Sequence, residues 1–232
     1  ACLAGKYRVD RVIGVGGMGV VLAVHHLELG TALAVKLMRT HVLRSPTAVE
    51  RFLREARAAS AIENEHVARV TDFGRLETGA PYMAMELLSG EDLSQRLARS
   101  GVLPVPVAID MVLQACEALA EAHVLGMVHR DLKPANLFFH CRRHRSETIK
   151  VLDLAISTIA PDAAVHLTNS AALMGSPLYM SPEQLQNAST VDARTDIWAL
   201  GVILFEATMG HPPFTAGSVA ELGVAITHDD PP

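Results

Sequence analysis

The sequence has few cysteines, and their number and placement argue against a small zinc-binding domain and against a disulfide-bonded domain. Cys2, Cys116 and Cys141 are odd in number, and their spacings fit no zinc ribbon or knuckle. We therefore expect reduced thiols in a cytoplasmic protein rather than a disulfide framework. The segment HCRRHR at 140–145 carries three arginines that would repel a metal ion, so a solvated hairpin loop is favoured there over a metal site.

The sequence also lacks a long apolar run and an excess of positive charge. No apolar run reaches the roughly 20 residues that a membrane span needs, and the start, ACLAGKYRVD, lacks the apolar core of a signal peptide. The net charge of −5 offers no basic field for nucleic acid. We therefore expect a cytoplasmic protein with no membrane segment and no nucleic-acid partner. Half of the 232 residues are apolar, which predicts a globular fold.

The pattern of apolar residues divides the chain into a strand-rich part and a helical part. Valine-rich alternation at 7–37 predicts strands around a glycine cluster, and a capped helix is expected at 45–62. After Gly90 the pattern is mainly helical. We therefore expect a small lobe at 1–86 and a larger lobe at 87–232, with a ligand site in the cleft between them.

The glycine cluster GVGGMGVV contains Gly14, Gly16, Gly17 and Gly19. Glycines let backbone amides approach phosphate oxygens because no side chain stands in the way. The same spacing occurs in dinucleotide-binding folds, but those need a helix directly after the loop, and the VVLAV that follows here predicts a strand. A plain hairpin turn is the other alternative, and it explains two glycines better than four.

Lysine is scarce and occurs only at Lys6, Lys36, Lys133 and Lys150. Lys36 lies on a predicted strand after the glycine cluster, where it can bind phosphate as a point charge. A buried lysine needs an anion, and Glu55 in the predicted helix is the candidate. A solvated helix charge is the alternative interpretation of Glu55.

The stretch VHRDLKPANLFF at 128–139 is the most specific in the chain. Asp131 can accept a hydroxyl proton, Lys133 can neutralise a transferring phosphoryl group, and Asn136 can hold a metal ion. A charged turn after a helix would not require this combination of residues. The stretch therefore predicts phosphoryl transfer.

With these motifs in the order IGVGGMGVV, HRDLKPAN, YMSPEQL and DIWALG, the chain resembles a eukaryotic-type Ser/Thr protein kinase domain, most of all the bacterial members. The resemblance runs from Lys6 to the end of the chain. It implies an α+β bilobal fold, with a small antiparallel sheet and one main helix in the first lobe and a larger, mostly helical second lobe. It also implies that the chain ends before the final helices of the family.

The resemblance implies an ATP site with Mg²⁺, or Mn²⁺ as an alternative ion. The residues that it assigns to nucleotide binding are Gly14, Gly16, Gly17, Gly19, Val21, Ala34, Lys36, Met85, Glu86, Leu88, Asp92 and Phe138. Among them, Val21, Ala34 and Phe138 would enclose the adenine ring. Met85 would be the gatekeeper residue beside it.

The resemblance also gives roles to polar groups around the nucleotide. The backbone at Glu86 and Leu88 would contact adenine, and Asp92 would reach the ribose. Lys36 would bind the α- and β-phosphates and form an ion pair with Glu55.

The chemical step is assigned in the same way. Asp131 would orient the substrate hydroxyl and accept its proton, with Lys133 beside it. Asn136 and Asp153 would hold the metal ion. Asp196, in the DIWALG motif, would brace the backbone of the stretch at 128–139, which is the catalytic loop of the resemblance.

The activation segment of the resemblance runs from Asp153 to Glu183. Thr168 and Ser170 are its candidate phosphorylation sites, because a phosphate there would give Arg130 a bidentate partner. Dimerisation for trans-autophosphorylation is a possible consequence. Ordinary loop hydroxyls are the alternative interpretation.

One departure from the family lies beside the metal aspartate. The family has Asp-Phe-Gly where this chain has Asp153, Leu154 and Ala155. An ATP-binding pseudokinase is therefore one alternative, although Lys36 and the other reactive groups are present. A small-molecule phosphotransferase is another, but the segment GSPLYMSPEQ resembles a platform for protein substrates.

Overall fold

The computed structural model divides into two compact units, 1–89 and 90–232. The boundary expected between 86 and 87 falls shortly before this division and stays a prediction. The residues that the structure describes are 1–16, 19–39, 43, 45–141, 146–154, 176–186 and 191–232.

The first unit is built on an antiparallel sheet whose strands lie in the order β1-β2-β3-β4-β6-β5. Its strands are β1 (Cys2–Leu3), β2 (Tyr7–Val15), β3 (Gly19–His26), β4 (Ala32–Met38), β5 (Val70–Arg75) and β6 (Pro81–Glu86). Because β3 follows the glycine cluster as a strand, the helix that a dinucleotide-binding fold needs is not formed there.

The two faces of this sheet carry different contacts, because successive side chains of a strand point to opposite faces. On one face, Tyr7, Val24 and Val35 belong to a buried apolar cluster. On the other, Phe52 of helix α1 (Pro46–Ser60) packs against Met83 of β6. The helix begins where the sequence predicts it, with the side chain of Ser45 accepting a hydrogen bond from the N–H of Ala48.

The second unit is mostly helical. Its helices are α2 (Leu93–Ser100), α3 (Val105–Val124), α4 (Pro182–Gln186), α5 (Arg194–Met209) and α6 (Val219–His228). A small antiparallel sheet accompanies them, with β7 (Gly90–Asp92), β8 (Leu137–Cys141) and β9 (Glu147–Val151) in that order. In the part of the chain that the structure describes, none of the helices combines the length and the apolar character needed to cross a bilayer.

The α+β class expected from the sequence is confirmed. The first unit has the antiparallel sheet with its main helix, and the second has the helices and the β8–β9 hairpin. The sequence patterns did not predict α6, β7 or the short strand β1. Each of these elements is either very short or has only a weak periodicity of apolar residues.

A half-buried carboxylate joins β2, β5 and β6 in the first unit. The Oδ2 atom of Asp72 accepts hydrogen bonds from Lys6 Nζ at 2.8 Å, Tyr7 Oη at 2.6 Å and Tyr82 Oη at 2.9 Å. Burial alone would raise the pKa of Asp72, but the three donors outweigh it and hold that pKa below its usual value. The carboxylate therefore stabilises the first unit in its charged form.

We expect Asp72→Asn to lower the free energy of unfolding by about 1 kcal/mol near neutral pH, a modest value because Lys6 is partly exposed. The pKa of Asp72 is lower in the folded protein than in the unfolded chain. Its contribution is therefore present above about pH 4 and is lost as the pH falls further. Chemical denaturation at a series of pH values should show the difference from wild type closing as the pH falls below about 4.

The matched control for this measurement is Asp10→Asn, which removes the more exposed carboxylate that contacts Arg8 at 3.4 Å. It should leave stability nearly unchanged, as exposed ion pairs usually do. A stability difference for Asp72→Asn that is independent of pH would contradict the assignment.

Candidate active site

The backbone of the catalytic loop is held by the buried carboxylate of Asp196 in α5. Its Oδ1 accepts from the N–H of Arg130 at 2.8 Å, and its Oδ2 accepts from the N–H of His129 at 2.9 Å. Oδ2 also lies 2.8 Å from Nε2 of His123. Because a carboxylate only accepts, that ring nitrogen is the donor. The brace expected from the sequence is confirmed by these contacts.

Arg130 has the left-handed backbone conformation, with φ of 61°. This conformation costs a residue with a side chain about 1–2 kcal/mol, so the neighbouring contacts must hold it. One guanidinium nitrogen, Nη2, donates to the carbonyl of Val191 at 3.2 Å. The Nε atom is buried and has no hydrogen-bond partner among the described residues. The side chain therefore has a donor available for an acceptor that the described residues do not supply.

The two charged groups of the catalytic loop contact each other directly. Lys133 Nζ donates to Asp131 Oδ2 at 2.6 Å, and the carboxylate of Asp131 remains 42% exposed. The N–H of Asp131 donates to Nδ1 of His129 at 3.4 Å, so the other ring nitrogen of His129 donates to the carbonyl of Leu152 at 3.0 Å. Asp131 is thus fixed at its backbone and accessible at its carboxylate, as a proton acceptor must be.

The candidate metal ligands come from two neighbouring segments. The N–H of Leu152 donates to the carbonyl of Asn136 at 2.8 Å, which brings the following residue, Asp153, beside this part of the loop. Asn136 is 6% exposed, and its Oδ1 atom has no hydrogen-bond partner among the described residues. A buried acceptor without a donor is costly, but oxygen is the ligand that hard divalent cations prefer. The donor set therefore fits a divalent metal ion.

The residues that follow Asp153 depart from the expected family pattern. Leu154 is only 3% exposed, so this apolar side chain is buried beside Asp153. Asp153 itself has φ of 53°, a conformation that aspartate adopts more readily than most residues. Ala155, Gly17, Thr168 and Ser170 lie outside the described residues.

The candidate nucleotide residues of the first unit lie on one face of its sheet. Val21 is the partner of Lys36 across β3 and β4, and Ala34 is the partner of Met85 across β4 and β6. Paired residues share a face, and so do residues two apart on one strand, which places all four side chains together. Helix α1 packs on this same face, and Glu55 of α1 is 7% exposed.

Two glycines of the cluster differ in what the fold requires. A Cβ at Gly19 would lie 2.3 Å from the carbonyl oxygen of Leu37, so the sheet itself excludes a side chain there. A Cβ at Gly16 would meet no atom within 4 Å. Packing among the described residues therefore gives no reason for glycine at Gly16, whereas close approach of a ligand to the backbone would.

The remaining candidate nucleotide residues are divided between the units. Asp92 and Phe138 are partners across β7 and β8, and Oδ1 of Asp92 also caps α2 by accepting from the N–H of Gln95 at 2.9 Å. Glu86 ends β6 opposite Leu33, so its side chain lies on the other sheet face from Met85. Leu88 follows just after that strand.

The segment at 176–186 is anchored on α5 by a hydrogen bond between a buried tyrosine and a half-buried glutamate. Tyr179 Oη donates to Glu206 Oε2 at 2.8 Å. Burial raises the pKa of Glu206, which the hydrogen bond from Tyr179 only partly offsets. Burial also raises the pKa of Tyr179, with a further contribution from the charge of Glu206. The pair fixes this segment to the helix that carries Asp196.

The model of the protein kinase domain family matches residues 7–229. The chain belongs to the protein kinase family. The chain is 39% identical over 232 residues to the serine/threonine-protein kinase pkn3 of Myxococcus xanthus. The aligned region covers 99% of the chain and 42% of that protein. The chain is 35% identical to the serine/threonine-protein kinase PknB of Mycobacterium tuberculosis, over 99% of the chain and 36% of that protein.

A third relative, the probable serine/threonine-protein kinase PknB of Corynebacterium glutamicum, is 33% identical over 99% of the chain and 35% of its own length. The kinase chain thus spans less than half the length of these curated relatives. Protein kinases as a family use ATP with a divalent metal ion. The fold predicted from the sequence is confirmed as that of a protein kinase domain.

Two polar residues of the kinase site were missed by sequence reasoning. His123 contacts Asp196, and Gln184 contacts the carbonyl of Arg130 at 2.7 Å. For Gln184, the S-x-x-Q spacing of Ser181 and Gln184 indicates a helix capping box but not the contact with Arg130. For His123, nothing local in the sequence indicates a contact with a residue so far along the chain.

We expect Asp196→Asn to lower the free energy of unfolding by about 2–3 kcal/mol, because the amide cannot accept from all three donors and leaves one buried N–H unpaired. Urea denaturation measures the loss. Asp110→Asn, an exposed change on α3, is the control and should have little effect. Equal stabilities of the two variants would contradict the role of Asp196.

Proposed function

We propose that the protein is a serine/threonine protein kinase that transfers the γ-phosphoryl group of ATP to hydroxyl groups of protein substrates. The observation that carries this proposal is the arrangement of the catalytic loop. An accessible carboxylate on Asp131 contacts Lys133 at 2.6 Å, and the same loop carries the buried Oδ1 of Asn136, which has no hydrogen-bond partner among the described residues. This arrangement occurs in a chain that belongs to the protein kinase family.

In the proposed reaction, Asp131 accepts the proton of the substrate hydroxyl as it attacks. The backbone N–H of Asp131 is held by His129, and its side chain remains 42% exposed. Lys133 lies beside it and offsets the negative charge that develops on the transferred group.

Asn136 and Asp153 would hold the metal ion. Mg²⁺ is the ion that we propose, with Mn²⁺ as a substitute, because both prefer oxygen ligands. When bound, the ion neutralises charge on the phosphate oxygens of ATP. The Oδ1 atom of Asn136 gains the partner that it lacks among the described residues.

For ATP itself, we propose that apolar side chains enclose the adenine ring and that backbone amides and one lysine hold the phosphates. Val21, Ala34 and Phe138 would contact adenine, and Met85 would limit the depth of its pocket. Lys36 would contact the α- and β-phosphates.

The other nucleotide groups complete this proposal. Glu55, buried on the helix that packs on the sheet face of Lys36, would pair with this lysine. The backbone at Glu86 and Leu88 would contact adenine, and Asp92 would reach the ribose with its second carboxylate oxygen. The backbone amides of the glycine cluster would approach the phosphates, as the open space at Gly16 favours.

Regulation by phosphorylation is part of the proposal. Arg130 has a buried Nε without a partner among the described residues, and a phosphate on Thr168 or Ser170 would supply an acceptor. We propose that such phosphates are introduced in trans within a transient dimer.

The cysteine usage favours a cytoplasmic kinase domain.

The pseudokinase alternative has no support from the relatives, which are named as serine/threonine-protein kinases. The residues whose loss usually marks a pseudokinase are all present. They are Lys36, Asp131, Asn136 and Asp153.

We expect Asp131→Asn in the full-length protein to reduce ³²P transfer from ATP to a generic protein substrate at least about a hundredfold, because the proton acceptor is lost. Binding of ATP should persist, since Asp131 is not assigned to the nucleotide. Asp110→Asn serves again as the surface control. Undiminished transfer by Asp131→Asn, or ATP binding without transfer by the wild type, would refute the proposed function.

We expect Asn136→Ala to weaken binding of Mg²⁺·ATP while leaving the stability of the ligand-free protein within about 1 kcal/mol, because Oδ1 has no hydrogen bond to lose among the described residues. The increase in melting temperature caused by Mg²⁺·ATP measures the effect, since a ligand stabilises the folded state according to its affinity. An unchanged increase in the variant would exclude Asn136 as a metal ligand.

A further inference from the structure

The start of α4 is a helix capping box. The N–H of Gln184 donates to Ser181 Oγ at 3.4 Å, and the N–H of Ser181 donates to Gln184 Oε1 at 3.0 Å. This reciprocal pair satisfies two backbone donors that the first turn of a helix leaves unpaired. Ser181 is fully buried, so the box is an interior feature of the second unit.

The partners of Gln184 fix the orientation of its side-chain amide. The backbone N–H of Ser181 can only donate, so the oxygen Oε1 must face it. Thr195 Oγ1 also donates to this oxygen, at 2.5 Å. Ser181 Oγ, which lies 2.8 Å from Thr195 Oγ1, donates to it in turn. The amide nitrogen Nε2 is therefore directed away from the box.

That nitrogen donates to the carbonyl of Arg130 at 2.7 Å. Arg130 is thus held on both sides of its backbone, since Asp196 accepts from its N–H at 2.8 Å. Its φ of 61° is unfavourable for a residue with a side chain, and such conformations persist only where the surroundings over-determine them. The next residue is Asp131, so a shift in the Arg130 peptide would move the carboxylate that accepts the proton.

We propose that Gln184 is a positioning residue for phosphoryl transfer, acting through its Nε2–H on the carbonyl of Arg130. This link would couple the segment at 176–186 to the catalytic loop through the backbone, independently of the guanidinium of Arg130. The proposal rests on the proposed kinase function, because Asp131 is the group that it positions.

A purely structural role for Gln184 makes a different prediction from a positioning role. Glutamate fills the same position of a capping box as glutamine does, and a negative charge is favourable near a helix N-terminus. Gln184→Glu therefore preserves the contacts of Oε1 with Ser181 and Thr195. It removes only the donor to Arg130, and it places a carboxylate oxygen against that carbonyl.

The test compares Gln184→Glu with Gln186→Glu in the full-length protein. Gln186 is exposed on the same helix, so the control makes the same change of charge away from the loop. We expect kcat of Gln184→Glu to fall about tenfold or more, equivalent to about 1.4 kcal/mol in the activation barrier. The KM for ATP should stay within about twofold, and the melting temperature should not fall with kcat.

Gln184→Met is a second variant that removes the donor without adding a charge. It should lose kcat to a similar extent, together with some stability, because the capping box is lost as well. A kcat for Gln184→Glu equal to that of Gln186→Glu would overturn the positioning role. So would a kcat loss in Gln184→Met alone, in proportion to its loss of folded protein.

Amide hydrogen exchange provides a measurement that needs no turnover. Loosening of the Arg130 peptide should speed exchange at 129–131 in Gln184→Glu and not in Gln186→Glu. Absence of transfer by the wild type would refute the proposed function. The exchange rates would still decide whether Gln184 holds the loop, and equal rates in both variants would overturn the inference.

Discussion

The catalytic loop depends on one buried carboxylate. Burying a charge costs far more than any single contact returns unless the charge is fully hydrogen-bonded. Asp196 meets this condition with two backbone N–H donors and the ring of His123. The same contacts fix the peptides at His129 and Arg130. The hydrogen bonds that compensate the buried charge of Asp196 therefore also order the catalytic loop. A neutral residue could fill the space but could not hold three donors at once.

From this carboxylate, a chain of hydrogen bonds extends to the candidate metal ligands. The ring of His129 links the N–H of Asp131 to the carbonyl of Leu152, and the N–H of Leu152 returns to the carbonyl of Asn136. The catalytic loop and the end of β9 are therefore one hydrogen-bonded unit. Because the donors and acceptors alternate without a gap, the histidine tautomer is fixed by its partners. The loop can then present Asp131 and Asn136 at fixed positions without help from a ligand.

Local features of the fold were predictable from the sequence. Alternation of valines gave the strands of the first unit, and Ser45 marked the start of α1, because these signals arise within a few residues. Helix α6 was missed, since Gly223 and its β-branched residues weaken the helical pattern. In the site, the candidate reactive residues were predicted from motif and resemblance. The contacts of His123 and Gln184 were not, because they join residues 73 and 54 positions apart, and no local pattern encodes such distances.

Polar atoms on either side of Asp131 indicate how the loop is completed. Arg130 Nε is a buried donor, and Asn136 Oδ1 is a buried acceptor, each without a hydrogen-bond partner among the described residues. Leaving such atoms unpaired costs about 1–3 kcal/mol each, so a loop that served only the fold would be expected to pair them. The first atom suits an anion and the second a cation. A phosphate and a metal ion are such partners, which makes the unpaired atoms understandable as part of a site for phosphoryl transfer.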